Sequence, residues 1–240
     1  WKANGAGSTN TDGSINTTYT SANTTSGVSI SMYEGTGSNA SFGHGLSTAP
    51  EFVMVKGLDA TSQWFLYSKS VGANKVATLD NASAFTTDTV SWQNTDPTSS
   101  VVTIGNDGGT NSSGNTMLAY CFSPIKGFSA MGSYSGTGDV NGAFIYTGFK
   151  PAFLWVARTD SSDGHFLYDN KRSPFNVRGK YLVADGNGTD SNADAFDFLS
   201  NGFKVRSTAT SFNNSSGSYL YMAFADQPLV SSNGVPATAE

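Results

Sequence analysis

Charge is scarce in this chain. Asp, Glu, Lys and Arg make up 13% of its 240 residues, about half the usual share of a globular domain. The 13 Lys and Arg are scattered and leave a formal net charge of -5, so the clustered cations that hold a nucleic-acid backbone or an anionic membrane surface are missing. Cysteine is scarcer still. Cys121 stands alone, which excludes an intrachain disulfide and a cysteine-based zinc set. Histidine occurs only as His44 and His165, too few for a transition-metal cluster. No run approaches the ~20 apolar residues of a membrane-spanning helix. There is no initiator Met before Trp1 and no signal-peptide pattern after it, which reads as a piece of a longer protein. Hydrophobic residues reach 38%, yet 16 Phe and 10 Tyr bring aromatics to 12%, and a disordered chain would lack them. A core is therefore expected, with Ser, Thr, Asn and Gly filling the stretches between its segments.

Those segments are short. Phe52–Val55, Trp64–Tyr67, Val101–Ile104, Met117–Phe122, Phe153–Val156, Tyr181–Val183 and Tyr219–Phe224 are rich in β-branched and aromatic residues and bounded by Gly, Asn, Asp, Ser or Pro, the signature of strands. No window keeps a helical apolar stripe for three turns. One hairpin is legible: Phe196 and Phe198 alternate with Asp197, Ser200-Asn201-Gly202 turns the chain, and Phe203 and Val205 alternate with Lys204 and Arg206, the Asn-Gly pair favouring the positive φ of tight turns. The expected class is all-β, built from antiparallel, jelly-roll-like β-sandwich units.

The pattern also repeats. "YEGTG" at Tyr33 returns as "YSGTG" at Tyr134, "PEFVMV" at Pro50 as "PAFLWV" at Pro151, and "WFLY" at Trp64 as "HFLY" at His165, each 101 residues on. "SSGN" at Ser112 and "AYCF" at Ala119 recur with offsets drifting by two residues. This gives two tandem copies, Val28–Ser133 and Tyr134–Val230, each large enough for its own core. A polar lead-in, residues 1–27, precedes them, and a polar tail, Ser231–Glu240, follows; both read as linkers or extended packing segments.

The repeat bears on chemistry. In "FGHGLSTAPEFVMVK", His44 lies between glycines, but the second copy reads "YTGFKP", and Tyr146 falls at the place of His44. A catalytic His has no reason to become Tyr in its sister copy, so His44 is expected to be structural or on the surface. His165 matches Trp64 and reads as an aromatic packing at a strand edge, and Cys121 matches Ala223 and reads as a small buried thiol. No G-x-S-x-G elbow occurs. Asp160 with Asp163, or Asp194 with Asp197, are the carboxylate pairs from which a glycosidase could be built, although Asp also forms turns through its own side chain. Asp185–Asp194 resembles an oxygen-rich calcium loop without its full frame, and no cofactor is expected beyond that calcium alternative. Polar loops on a β scaffold suit recognition. Trp92-Gln93-Asn94-Thr95-Asp96 offers a ring to stack on a sugar and groups to bond its hydroxyls, although Trp92 also reads as a core residue. Trp92, Asn94 and Asp96, with Asp160 and Asp163, are the candidate binding residues.

"WKANGAGSTNTDGSI", "GVSISMYEGTGSNASFGHGLSTAPEFVMVK", "NTMLAYCFSPIKGFSAMGSYSGTG", "FIYTGFKPAFLWVARTD", "SNGFKVRS" and "YLYMAFADQP" together resemble a family of tailed-phage proteins, tail-fibre or tail-structural components common in marine phages and of largely unassigned function. The resemblance covers nearly the whole chain, with Glu240 standing where a basic residue would fit the pattern. It implies a virion component at the tail or another surface appendage, distal and homotrimeric, with no catalytic residues. The expected partners are a host surface glycan or receptor, sister chains and other virion proteins, with no nucleic acid and no membrane insertion. A head or tail decoration protein and a polysaccharide depolymerase are the alternatives.

Overall fold

The computed structural model describes residues 3–226. The chain is all-β and falls into two compact units. The first takes in the chain up to Leu79 together with Phe85–Pro124; the second takes in Asp80–Ala84 and the chain from Ile125. The polar tail, residues 231–240, lies outside the described residues.

In the first unit the strands are β1 (Tyr19–Asn23), β2 (Val28–Glu34), β3 (Ala40–Gly43), β4 (Phe52–Gly57), β5 (Phe65–Ser68), β6 (Lys75–Thr78), β7 (Thr86–Thr87) and β8 (Val101–Ile104), then a single helical turn α1 (Gly108–Asn111) and β9 (Thr116–Phe122). In the second they are β10 (Ser129–Ser135), β11 (Phe144–Tyr146), β12 (Pro151–Arg158), β13 (His165–Asp169), β14 (Arg178–Val183), β15 (Ser191–Leu199) and β16 (Gly202–Val205), the turn α2 (Thr210–Asn213) and β17 (Ser218–Ala225). All ladders between these strands are antiparallel.

The two copies share one connectivity. The second unit is a single eight-stranded, nearly closed, barrel-like sheet in the order β10-β17-β12-β13-β14-β15-β16-β11. The first runs β1-β2-β9-β4-β5-β6-β7 as a seven-stranded sheet, with β8 and β3 as a separate pair. The difference lies in one segment. The long β15 pairs with both β14 and β16 and joins the sheet together. At the corresponding place after β7, Asp88 Oδ1 instead accepts from the N–H of Val90 and Ser91, at 2.8 and 2.6 Å. That side-chain turn ends the strand. Gln93 Nε2 then donates to Ile104 O of β8 at 2.6 Å, supplying the bond that a neighbouring strand would have made.

Each unit has its own core, and matched positions fill them: Tyr33 with Tyr134, Val53 with Leu154, Tyr67 with Tyr168, Val102 with Phe203, Cys121 with Ala223. The hairpin of Phe196–Val205 pairs Phe198 with Phe203 and Phe196 with Val205. Its turn has a different basis from the one expected. Neither Asn201 nor Gly202 has a positive φ. Gly202 is required because a Cβ there would sit 2.1 Å from Ile145 O of β11.

The repeated Y-x-G-T-G motif has a physical reason at every letter. Tyr33 Oη donates to Thr110 O at 2.6 Å, and Tyr134 Oη to Phe212 O at 2.9 Å. A Cβ on Gly35 or Gly136 would meet the Ser112 or Asn214 carbonyl oxygen at 2.1 Å. The Thr36 and Thr137 amides donate to Oδ1 of Asn111 and Asn213, both at 2.7 Å, and the threonine Oγ1 atoms accept from Nδ2 of the same asparagines at 3.2 and 3.3 Å. Gly37 and Gly138 take φ of 67° and 72°, the left-handed region that glycine enters freely. Asn111 Nδ2 donates to Ser38 O and Gly105 O at 2.6 and 2.9 Å, and Asn213 Nδ2 to Asp139 O and Ser207 O, both at 2.7 Å. Both asparagines are fully buried, so each is a clasp that ties a loop to the helical turn from within.

Truncating a clasp strands several buried carbonyls and amides. Asn111→Ala and Asn213→Ala are each expected to cost about 2–4 kcal/mol, read as a lowered urea midpoint for the unit that carries the change.

Candidate functional site

The lead-in is part of the first unit. Ser8 and Thr20 exchange backbone bonds at 3.2 and 2.7 Å, Asn10 N donates to Thr17 Oγ1 at 2.8 Å, and Asn4 N donates to Ser21 Oγ at 2.9 Å. Between this folded-back segment, β1 and the turn after β3 lies a cleft of about 370 Å³. Its polar walls are Asn4, Ser8, Thr9, Asn10 and Thr20, and Gly7, Ala22 and Gly45 complete it. The glycines are built in. Gly7 has φ 77° and would bring a Cβ to 2.8 Å from Thr20 O, and Gly45 has φ 70° with Ala22 Cβ at 3.1 Å. Beneath the cleft runs a buried hydroxyl chain. Thr20 Oγ1 meets Thr17 Oγ1 at 2.9 Å and Ser31 Oγ at 3.0 Å, and Thr20 and Ser31 each reach Gly43 O at 3.3 Å.

Among the described residues no ionisable side chain lines this cleft. The described lining carries hydrogen-bond donors and acceptors that suit a neutral, hydroxyl-rich or amide-bearing ligand. The sequence offered little sign of it, because the lead-in has no strong apolar period and reads as a linker.

The residues picked from the sequence lie elsewhere. Trp92 is 1% exposed and belongs to the first core, edge-on to Tyr67 at 5.9 Å, so its ring face is taken up by packing. Asn94 is exposed with φ 46°, and the exposed Asp96 accepts from Tyr67 Oη at 2.9 Å. Asp160 and Asp163 lie in the second unit and both hold Arg158, at 2.8 and 3.2 Å. Ser211 Oγ also donates to Asp163 at 3.0 Å. The Arg158 hydrogen bond holds the Asp160 carboxyl below the usual carboxylate range. Asp197 pairs with Arg206 at 3.4 Å. In the calcium-like loop, Asp185 Oδ1 accepts from His165 N at 2.8 Å. Among the described residues no three His, Cys, Asp or Glu side chains come together to hold a metal ion.

His44 is buried, and both ring nitrogens are engaged: Nε2 with Thr98 O and Nδ1 with Leu46 N–H, each at 3.1 Å. Its counterpart needs correction. His44 N donates to Ser100 O, and Thr147 N donates to Asn201 O, so Thr147 matches His44, and Tyr146 matches Gly43. Matching ring to ring set Tyr146 against His44, although Gly45 and Gly148 each directly follow the true pair, His44 and Thr147. Thr147 Oγ1 bonds Phe149 O at 2.7 Å, two residues along the chain, as His44 bonds Leu46. His165 is 1% exposed beside the Trp155 ring at 5.5 Å, and neither of its ring nitrogens has a hydrogen-bond partner among the described residues. Burial pushes the Cys121 thiol up to about 12, which keeps it protonated and inert.

A family model described as Domain of unknown function (DUF7483) matches residues 1–228. No curated protein and no solved structure matches the chain.

Burial lowers the pKa of both His44 and His165 from the ordinary 6.5. Below 6.5 the unfolded chain then binds protons that the folded chain refuses, so stability is full above that pH and declines as pH falls toward the lowered folded values. Urea midpoints are expected to drop from about pH 7.5 to about 5.5, and His165→Phe should flatten the second unit's share of that drop.

Proposed function

The chain belongs to the DUF7483 family, and from that premise we propose that it is a non-catalytic binding module of a phage virion, a tail-fibre or receptor-binding part that attaches to a host surface glycan and works as a homo-oligomer. The observation that carries this reading is the cleft beside the lead-in, whose lining among the described residues is uncharged and rich in hydroxyl and amide groups. Sugars are recognised by such groups, and a rigid sheet holds them in place. The sequence blocks that resemble tail-fibre proteins supply the setting. In this reading each copy is a jelly-roll-like sandwich. Phe42, Val102 and Ile104 of β3 and β8 packing with Val53, Val55 and Ala119 of the larger sheet support it.

The test is adsorption. The purified chain should bind host cells or an array of host surface glycans and release no reducing ends from them. Asn4→Ala with Thr9→Ala, at exposed positions of the cleft, should weaken retention about tenfold, the equivalent of one or two lost hydrogen bonds, with the melting temperature unchanged. Release of reducing ends would make the protein a depolymerase. Failure to adsorb, with the chain located on the capsid or tail tube, would make it a decoration protein.

A further inference from the structure

The two copies act as controls for one another, and one strand edge differs between them. In the first unit the outer edge of β3 is covered by the lead-in. Ser41 N donates to Ser14 Oγ at 2.9 Å, Ser41 O accepts from Ile15 N at 2.9 Å, and Gly43 is pressed so closely that a Cβ would lie 1.6 Å from Asn10 Oδ1. The matching strand β11 pairs only with β16. Val205 N bonds Ala143 O and Thr147 N bonds Asn201 O, both at 3.0 Å. Alternation along an antiparallel strand therefore turns the N–H and C=O of Phe144 and Tyr146 away from β16, and no partner for them occurs among the described residues. Where the first copy has the small, covered Ser41 and Gly43, the second has Phe144 and Tyr146, 45% and 66% exposed. The fold does not need aromatics at these places, since the first copy does without them. Tyr146 also stands where Asn10 would have to sit, so a segment like the lead-in cannot dock there in the same way.

We infer that the β11 edge is a contact between copies of this chain, two β11 strands pairing antiparallel about a two-fold axis through Ile145. The chemistry is self-complementary. Such pairing sets Phe144 of each copy opposite Tyr146 of the other, two aromatic cross-strand pairs on one face, and uses the free N–H and C=O groups of both residues. Residues 140–149 contain no charge and no proline, so the edge carries none of the usual devices that keep exposed strands apart. The flanking charges agree: exposed Asp139 precedes the strand and exposed Lys150 follows it, so antiparallel pairing brings the acidic end of one copy to the basic end of the other. β11 is three residues long, which makes the association weak and concentration-dependent.

The inference rests on the homo-oligomeric part of the proposed function and not on its glycan part. Sedimentation velocity of the full chain over a wide concentration range should show a monomer–dimer equilibrium. Phe144→Lys with Tyr146→Lys should weaken it at least about tenfold through like charges facing each other, with unchanged circular dichroism and melting temperature, whereas Tyr19→Lys on β1 should leave it intact. Register is read separately. An equimolar mixture of Phe144→Cys and Tyr146→Cys chains should oxidise to a mixed disulfide dimer in preference to either homodimer, Cys121 being buried. A monomer at every concentration, a trimer built head to tail, a dimer indifferent to the lysines, or disulfides without preference for the mixed pair would each overturn the two-fold contact. Glycan adsorption by a strict monomer would overturn it while leaving the reading of the cleft in place.

Discussion

Both halves of this molecule depend on a buried asparagine side chain that holds a loop shut. Asn111 and Asn213 each accept from one threonine amide and donate to two carbonyls that no strand reaches. A buried backbone group without a partner is expensive, and in so glycine- and serine-rich a chain the loops bring many such groups inward. The clasp satisfies several of them with one side chain. It thereby fixes where β2 and β10 leave the sheet and lets the tyrosine that opens each motif lie in the core with its hydroxyl bonded.

The repeat was legible because this constraint is written in residue identity. Tyr, Gly, Thr and Gly cannot be exchanged where a hydroxyl must reach a carbonyl, a Cβ would strike backbone, and φ must be positive. The strands were legible for the more general reason that β-branched and aromatic residues crowd short segments. The places where the reading slipped are those where one copy solved a local problem differently. Asp88 ends a strand that its counterpart continues through Phe196. Trp92, attractive as a stacking ring within a polar loop, is drawn into the core by the same break. Thr147 does the work of His44 with unrelated chemistry, so matching by residue type placed Tyr146 there instead. Asp160 and Asp163 are both held by Arg158, a partner that loop spacing alone does not reveal.

The lead-in shows the limit of pattern reading most clearly. Its backbone partners lie on β1 and β3, and its bonds come from Ser, Thr and Asn side chains, none of which produces a periodic signal. Composition leaves it as a linker or an extended packing segment, and its hydrogen bonds make it a wall of the cleft and the cover of the β3 edge.

That cover has a consequence for how the two halves are made. In both units the strand that opens the copy needs one some eighty residues later, β2 pairing with β9 and β10 with β17. Closing so wide a loop is slow. In the first, the lead-in must also be seated, on β1 at Thr20 and on β3 at Ser41. The lead-in is made before the β3 edge that completes its seat, which favours a segment that stays polar and soluble in the interval, as this one does.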